Sequence, residues 1–142
     1  MTETDGTPGM VNSARHRLDA LLSEWSSFEE CLLHDVRPVH FGFGVRMDIN
    51  HVWGPDGQVR PDALERPVLV RLFLMGVQRL EFTGALNHAQ LADPEQLDWG
   101  LTEIAVVRRF DVPDLVGLAV EWESERQLRV CFADFLLSVP DA

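Results

Sequence analysis

Between Arg66 and Gly84 the sequence reads RPVLVRLFLMGVQRLEFTG, and its apolar residues recur at every second position. Val68, Val70, Leu72 and Leu74 alternate with Leu69, Arg71 and Phe73, and Leu80 and Phe82 resume the pattern after Met75-Gly76. Side chains of a strand point to opposite faces in turn, so two such runs around a short glycine turn predict an antiparallel hairpin. The first run is apolar on nearly both faces, so it is expected as a central strand with other strands beside it.

The remainder of the chain extends this β pattern. Residues Met1 to Met10 are polar with Gly and Pro and are expected as a disordered tail, leaving residues 11–142 as a single domain. From Asn12 or Ser13 to Trp25 the period becomes helical, with Leu18, Leu21, Leu22 and Trp25 on one face. Phe28 to Leu33 is expected to add a further helical turn. Period two returns in His34 to Phe41 and Val45 to Trp53, and Gly54-Pro55-Asp56-Gly57 supplies strong turn chemistry. Gln58 to Glu65 and Asn87 to Trp99 read as loops. Leu101 to Phe110, Leu115 to Trp122 and Leu128 to Val139 read as three closing strands. About seven strands, mostly in hairpins, with one N-terminal helix predict a mainly β fold: an antiparallel β-sandwich or partly open barrel.

Charge narrows the function classes. Among 142 residues, 23 are acidic and 12 basic, every basic one is Arg, and the formal net charge is −11. Such a surface repels phosphate backbones and anionic lipid, which argues against nucleic-acid and membrane partners and allows a basic protein. No signal peptide and no apolar run near the ~18 residues of a membrane span is visible, so a cytoplasmic protein is expected. Cys31 and Cys131 are then expected as free, buried thiols. Without a CxxC pair, zinc is not expected, nor is any other metal or cofactor.

Few residues suggest chemistry. His34 and His40 share a strand face but lie about 20 Å apart along it, too far for one ion. A turn centred near Phe43 would bring Asp35 beside His51 across two strands, which makes Asp35 and His51 a candidate polar pair. Catalysis there would need a third convergent group. No GxSxG, P-loop, GxGxxG or HExxH motif occurs, and the expectation is not an enzyme. Trp25 and Trp122 belong to apolar stripes and are expected in the core, whereas Trp53 and Trp99 flank loops and are candidate partner-binding residues. Asp111, Asp114, Glu121, Glu123 and Glu125 are expected to make one end of the Leu115 hairpin strongly negative, a rim suited to a basic partner.

Three places resemble the immunity protein 50 family, small bacterial proteins encoded beside polymorphic toxins. They are Leu33-His34-Asp35 at the head of a strand, Phe73-Leu74-Met75-Gly76-Val77 with Leu80 and Phe82, and the last strand, Val130-Cys131-Phe132 running to Val139-Pro140. The resemblance implies a protein-binding module that neutralises a toxin by occlusion, with no catalytic residues. Two other readings stand beside it: a small-molecule-binding or enzymatic β-fold using Asp35 and His51, and a structural subunit or homodimer.

Overall fold

The computed structural model describes residues 7–39, 43–83, 104–122 and 126–139. Helix α1 (Thr7–Glu24) comes first. It buries Val11, Ala14, Leu18, Leu21 and Leu22, whose spacing of three and four puts them on one face. It starts well before Asn12, so Thr7 to Met10, expected in a disordered tail, form its first turn. Pro8 is no obstacle there, because the first turn of a helix has no use for its missing N–H.

Among the described residues eight strands follow, one more than expected: β1 (Leu32–Val39), β2 (Gly44–Asn50), β3 (Leu69–Met75), β4 (Arg79–Thr83), β5 (Ile104–Val112), β6 (Leu115–Trp122), β7 (Gln127–Phe132) and β8 (Asp134–Ser138). They form two antiparallel four-stranded sheets, ordered β1-β2-β3-β8 and β4-β7-β6-β5. The fold is a β-sandwich with one helix. Val45, Met47, Ile49, Val70, Leu72 and Leu74 face inward from the first sheet, toward Val116, Leu118, Val120, Leu128, Val130 and Phe132 of the second, and all are buried. Each such side chain is worth about 2 kcal/mol relative to exposure.

The expected hairpin between Arg66 and Gly84 does not form. β3 pairs with β2 and β8, whereas β4 pairs with β7 in the other sheet. Gly76, at φ +66°, bends the chain without reversing it, and Ala133 bends the partner chain between β7 and β8 at the same level. Two bonds tie the bends together: Gln78 N–H donates to the Cys131 carbonyl at 2.9 Å, and Ala133 N–H donates to that of Met75 at 2.9 Å. β3–β4 is thus one long strand folded around a corner beside a second, β7–β8. Alternation reports which face a residue occupies, not whether the chain turns back, so a corner and a hairpin carry the same pattern. The second bend also splits the expected strand from Leu128 to Val139, which accounts for the eighth strand.

The sheets meet again at a second seam, where Glu30 N–H donates to the Ile104 carbonyl and Ile104 N–H to that of Cys31, both at 2.8 Å. Helix α1 straps the remaining gap. Arg15 donates to the carbonyls of Val112 (2.7 Å) and Leu115 (2.8 Å) at the β5–β6 turn, Asp19 pairs with Arg109 at 2.8 Å, and Arg17 reaches Asp134 and the Phe135 carbonyl on β8. Cys31 and Cys131 are free and buried as expected, and burial pushes both thiols up from the ordinary range.

Candidate functional site

Beyond Glu24 the backbone turns left-handed. Ser26, Ser27, Phe28 and Glu30 all have φ between +52° and +64°, and none is glycine. The right-handed turn expected from Phe28 to Leu33 is absent. An L-residue in this region costs about 1–2 kcal/mol, so the segment stores roughly 4–8 kcal/mol. Phe28 offsets part of this by its full burial, about 2–3 kcal/mol. The rest comes from hydrogen bonds at about 1 kcal/mol each: Phe28 N–H to Trp25, Glu29 N–H to Ser26, Cys31 N–H to Phe28, the two bonds to Ile104, and the Trp53 indole N–H to the Glu29 carbonyl at 3.0 Å. Tertiary anchoring outweighs local preference here.

This ridge separates two hollows. The first, about 360 Å³, is lined by Glu24, Trp25, Glu29, His51 and Trp53. Trp25 stacks on Phe28 with centroids 6.0 Å apart and meets His51 edge-on at 4.8 Å. Burial, and then the nearby Arg60 guanidinium, hold His51 below its ordinary 6.5, so the ring is neutral at pH 7 and adds no positive charge to the hollow. The second, about 370 Å³, is bordered by Glu30, Leu32, Val52, Val59 and Leu64. Val59 and Leu64 are 52% and 74% exposed and give this rim an aliphatic surface. Glu29 and Trp53 line the first hollow, and their chain neighbours Glu30 and Val52 line the second.

The loop that forms the far wall is built rather than slack. Asn50, buried at the end of β2, donates to the Ala63 carbonyl at 2.9 Å and accepts the Val68 N–H at 3.2 Å. Arg60 donates to the carbonyls of His51 (2.7 Å) and Arg66 (3.0 Å). The Gly54 to Gly57 turn closes as its sequence implies, with Gly57 N–H on the Gly54 carbonyl at 3.0 Å and Gly57 at φ +78°. Trp53 bridges to Val59 across it.

Trp53 therefore lies in the hollow. Trp25, expected in the core, is only half-buried and shares it, whereas Trp122 is buried as expected. His51 belongs to the hollow too, but Asp35 does not. The chain reverses between Val39 and Gly44, earlier than a turn centred at Phe43 would, so Asp35 faces Asp48, three residues short of His51; the bulge at His34 lies beyond this pair and shifts only Leu32 and Leu33. Its carboxylate pairs with Arg37 and Arg46 instead. The acidic end also comes apart. Asp111 and Asp114 sit at the β5–β6 turn and Glu121 at the opposite end of β6, about 20 Å away. Glu121 is bound by Arg108 at 2.9 Å and Gln127 at 3.1 Å, and Asp111 by Arg109 at 2.9 Å. Trp99, Glu123 and Glu125 lie outside the described residues, as does the Asn87 to Trp99 loop. Glu24 and Glu29, the carboxylates actually at the hollow, carried no signal in sequence beyond their closeness to Trp25.

The sign of the His51 shift gives a stability prediction. Below the ordinary 6.5 the unfolded chain takes up a proton that the folded chain refuses, so this residue makes stability fall as pH drops from 6.5 toward its lowered folded value. Urea unfolding at about pH 5.5 and about pH 7.5 should show a smaller difference for His51→Gln than for the native chain. An equal difference would remove His51 from the account.

Among the described residues no three His, Cys, Asp or Glu side chains converge as metal ligands would, and no helix is long and apolar enough to cross a membrane. No protein-family model matches the chain, and no curated protein matches it. The crystal structure of an uncharacterized protein from Neisseria gonorrhoeae is similar, with a TM-score of 0.51 and 9% identity over 78% of this chain and 92% of that one. At that identity the likeness concerns the fold: a mainly β domain of two antiparallel sheets with one helix.

Proposed function

We propose that this chain is a protein-binding module that takes a basic partner at the Trp25/Trp53 hollow, and most concretely a cytoplasmic immunity protein that neutralises a toxin by occlusion. The observation that carries the binding part is the hollow itself. Two indole side chains and a neutral imidazole line it, Glu24 and Glu29 stand at its rim, and exposed Val59 and Leu64 border the neighbouring hollow. Aromatic faces with carboxylates beside them suit a guanidinium or ammonium group, which gains cation–π and ionic attraction together. Aliphatic contacts alongside exclude water from that pair. The net charge of −11 would steer a basic partner toward the surface from a distance. The immunity-specific part rests on the motif resemblance at Leu33-His34-Asp35, Phe73 to Val77 and Val130 to Phe132.

The test is calorimetric titration of the chain with the toxin-like product of an adjacent gene at low and high salt. Binding should weaken with salt, and Trp53→Ala should lose about 2 kcal/mol, about thirtyfold in affinity. The double variant Glu24→Gln/Glu29→Gln, which touches no core residue, should flatten the salt dependence. Affinity unchanged by Trp53→Ala in a folded variant, or binding indifferent to salt, would rule the proposal out.

A further inference from the structure

Among the described residues four strands lie at the sheet edges, and three of them are blunted against pairing by several residues each. β1 carries Asp35, Arg37 and Pro38; β4 carries Arg79 and Glu81; β5 carries Arg108, Arg109 and Asp111. Charges and proline along an edge are how proteins keep foreign strands off it. β8 differs. After its first residue, Asp134, which Arg17 binds, it has neither a charge nor a proline, and its Leu136 and Leu137 are 57% and 41% exposed, as is Val139 just beyond it at 42%.

Its backbone shows which groups are open. The Phe135 N–H is taken by the Asp134 carboxylate at 2.8 Å and the Phe135 carbonyl by Arg17 at 3.2 Å, so both polar groups of Phe135 point away from β3 and are satisfied by side chains. Strand geometry then turns the N–H and C=O of Leu137 the same way. Among the described residues nothing engages them.

We infer that β8 is an interface between two copies of this chain, paired antiparallel about a twofold axis at Leu137. In that register the Leu137 N–H of each copy donates to the Leu137 carbonyl of the other, and Leu136 lies opposite the second copy's Ser138 on the outer face of the sheet. Ser138 borders a hollow of about 250 Å³ with Pro67, Leu69 and Arg71, across the ladder from the exposed Leu136 knob. Knob and hollow are two residues apart on one strand, so a twofold axis seats each Leu136 beside the other copy's hollow. Self-complementarity of this kind is what an isologous dimer requires. Asp134, the carboxylate of β8, is held by Arg17, and the stretch from Phe135 to Ser138 is uncharged, so two copies of net charge −11 can meet there without directly opposed carboxylates. β8 is at the edge of its sheet opposite β1, whose entrance carries the aromatic hollow, so pairing leaves that hollow open. The inference stands apart from the proposed binding function.

Sedimentation equilibrium of the full chain at micromolar concentration tests it. The native chain should be a dimer, and Leu136→Lys, which puts a charge beside the apolar hollow, should weaken dimerisation about tenfold or more with an unchanged circular dichroism spectrum. Ser138→Arg, on the same outer face, should do likewise and serves if the first variant folds poorly. A monomeric native chain, or a dimer indifferent to both substitutions, would overturn the assignment.

Discussion

Gly76→Ala should destabilise the chain by about 2–4 kcal/mol, and Ala133→Gly should rescue much of that loss. Two effects add at Gly76. Its φ of +66° costs an L-residue about 1–2 kcal/mol. A Cβ there would also stand 2.9 Å from the Ala133 Cβ, too close without moving one of the bends, and in ordinary contact with its backbone nitrogen at 3.6 Å. That nitrogen holds the Met75 carbonyl, so a shift would strain the bond joining the two long strands. With glycine at 133 the side-chain clash disappears and only the backbone cost of the first substitution remains. A double-mutant cycle by urea unfolding should therefore give a coupling of about 1–2 kcal/mol. Additive effects would mean the two bends do not touch.

Asp48→Ala should cost about 2–3 kcal/mol, whereas Asp35→Ala, on the facing rung, should cost under about 1. Asp48 is only 3% exposed in its side chain, although it points to the outer face of the first sheet. Arg71 grips it with two bonds, Nε to Oδ1 at 2.8 Å and Nη2 to Oδ2 at 3.2 Å, and Arg46 lies 3.6 Å away. These bonds in turn push the Arg71 guanidinium up from its ordinary range. Removing the carboxylate leaves two cations over an uncharged gap, but both reach water, which keeps the loss below that of a sealed pair. Asp35 is more open, and its partner Arg37 is mostly exposed. Asp48→Asn should cost nearly as much as Asp48→Ala, because an amide cannot accept both Arg71 bonds. Equal effects at positions 35 and 48 would mean that burial does not set the strength of this ladder.

Locally encoded features were legible in the sequence. The stripe Leu18, Leu21 and Leu22 identified α1, the Gly54 to Gly57 run identified its turn, and period two identified most of the strands. Trp53 stood out because an indole beside a rigid turn has few reasons to be there. What could not be read depends on neighbours distant in sequence. Nothing in Met75-Gly76-Val77 says that the next strand pairs with residues 127–132 instead of folding back. Ser26-Ser27-Phe28 contains no glycine to signal left-handed backbone, since Phe28, Ile104 and Trp53 impose that conformation from outside the segment. His51 lines the hollow without Asp35, because the turn between β1 and β2 comes earlier than expected and shifts every partner of β1.

The shared corner also bears on fidelity of assembly. Where sheets are covalently independent, a strand that slips by one residue buries the wrong side chains in one layer only, and that layer can melt and try again. Here a slip of β3 against β8 would be carried through Gly76 into β4, turning Val70, Leu72 and Leu74 outward in one layer and displacing Phe82 from Trp122 in the other. A misaligned chain would thus lose contacts in both layers at once, which raises wrong alignments above the native one in free energy and favours a single outcome.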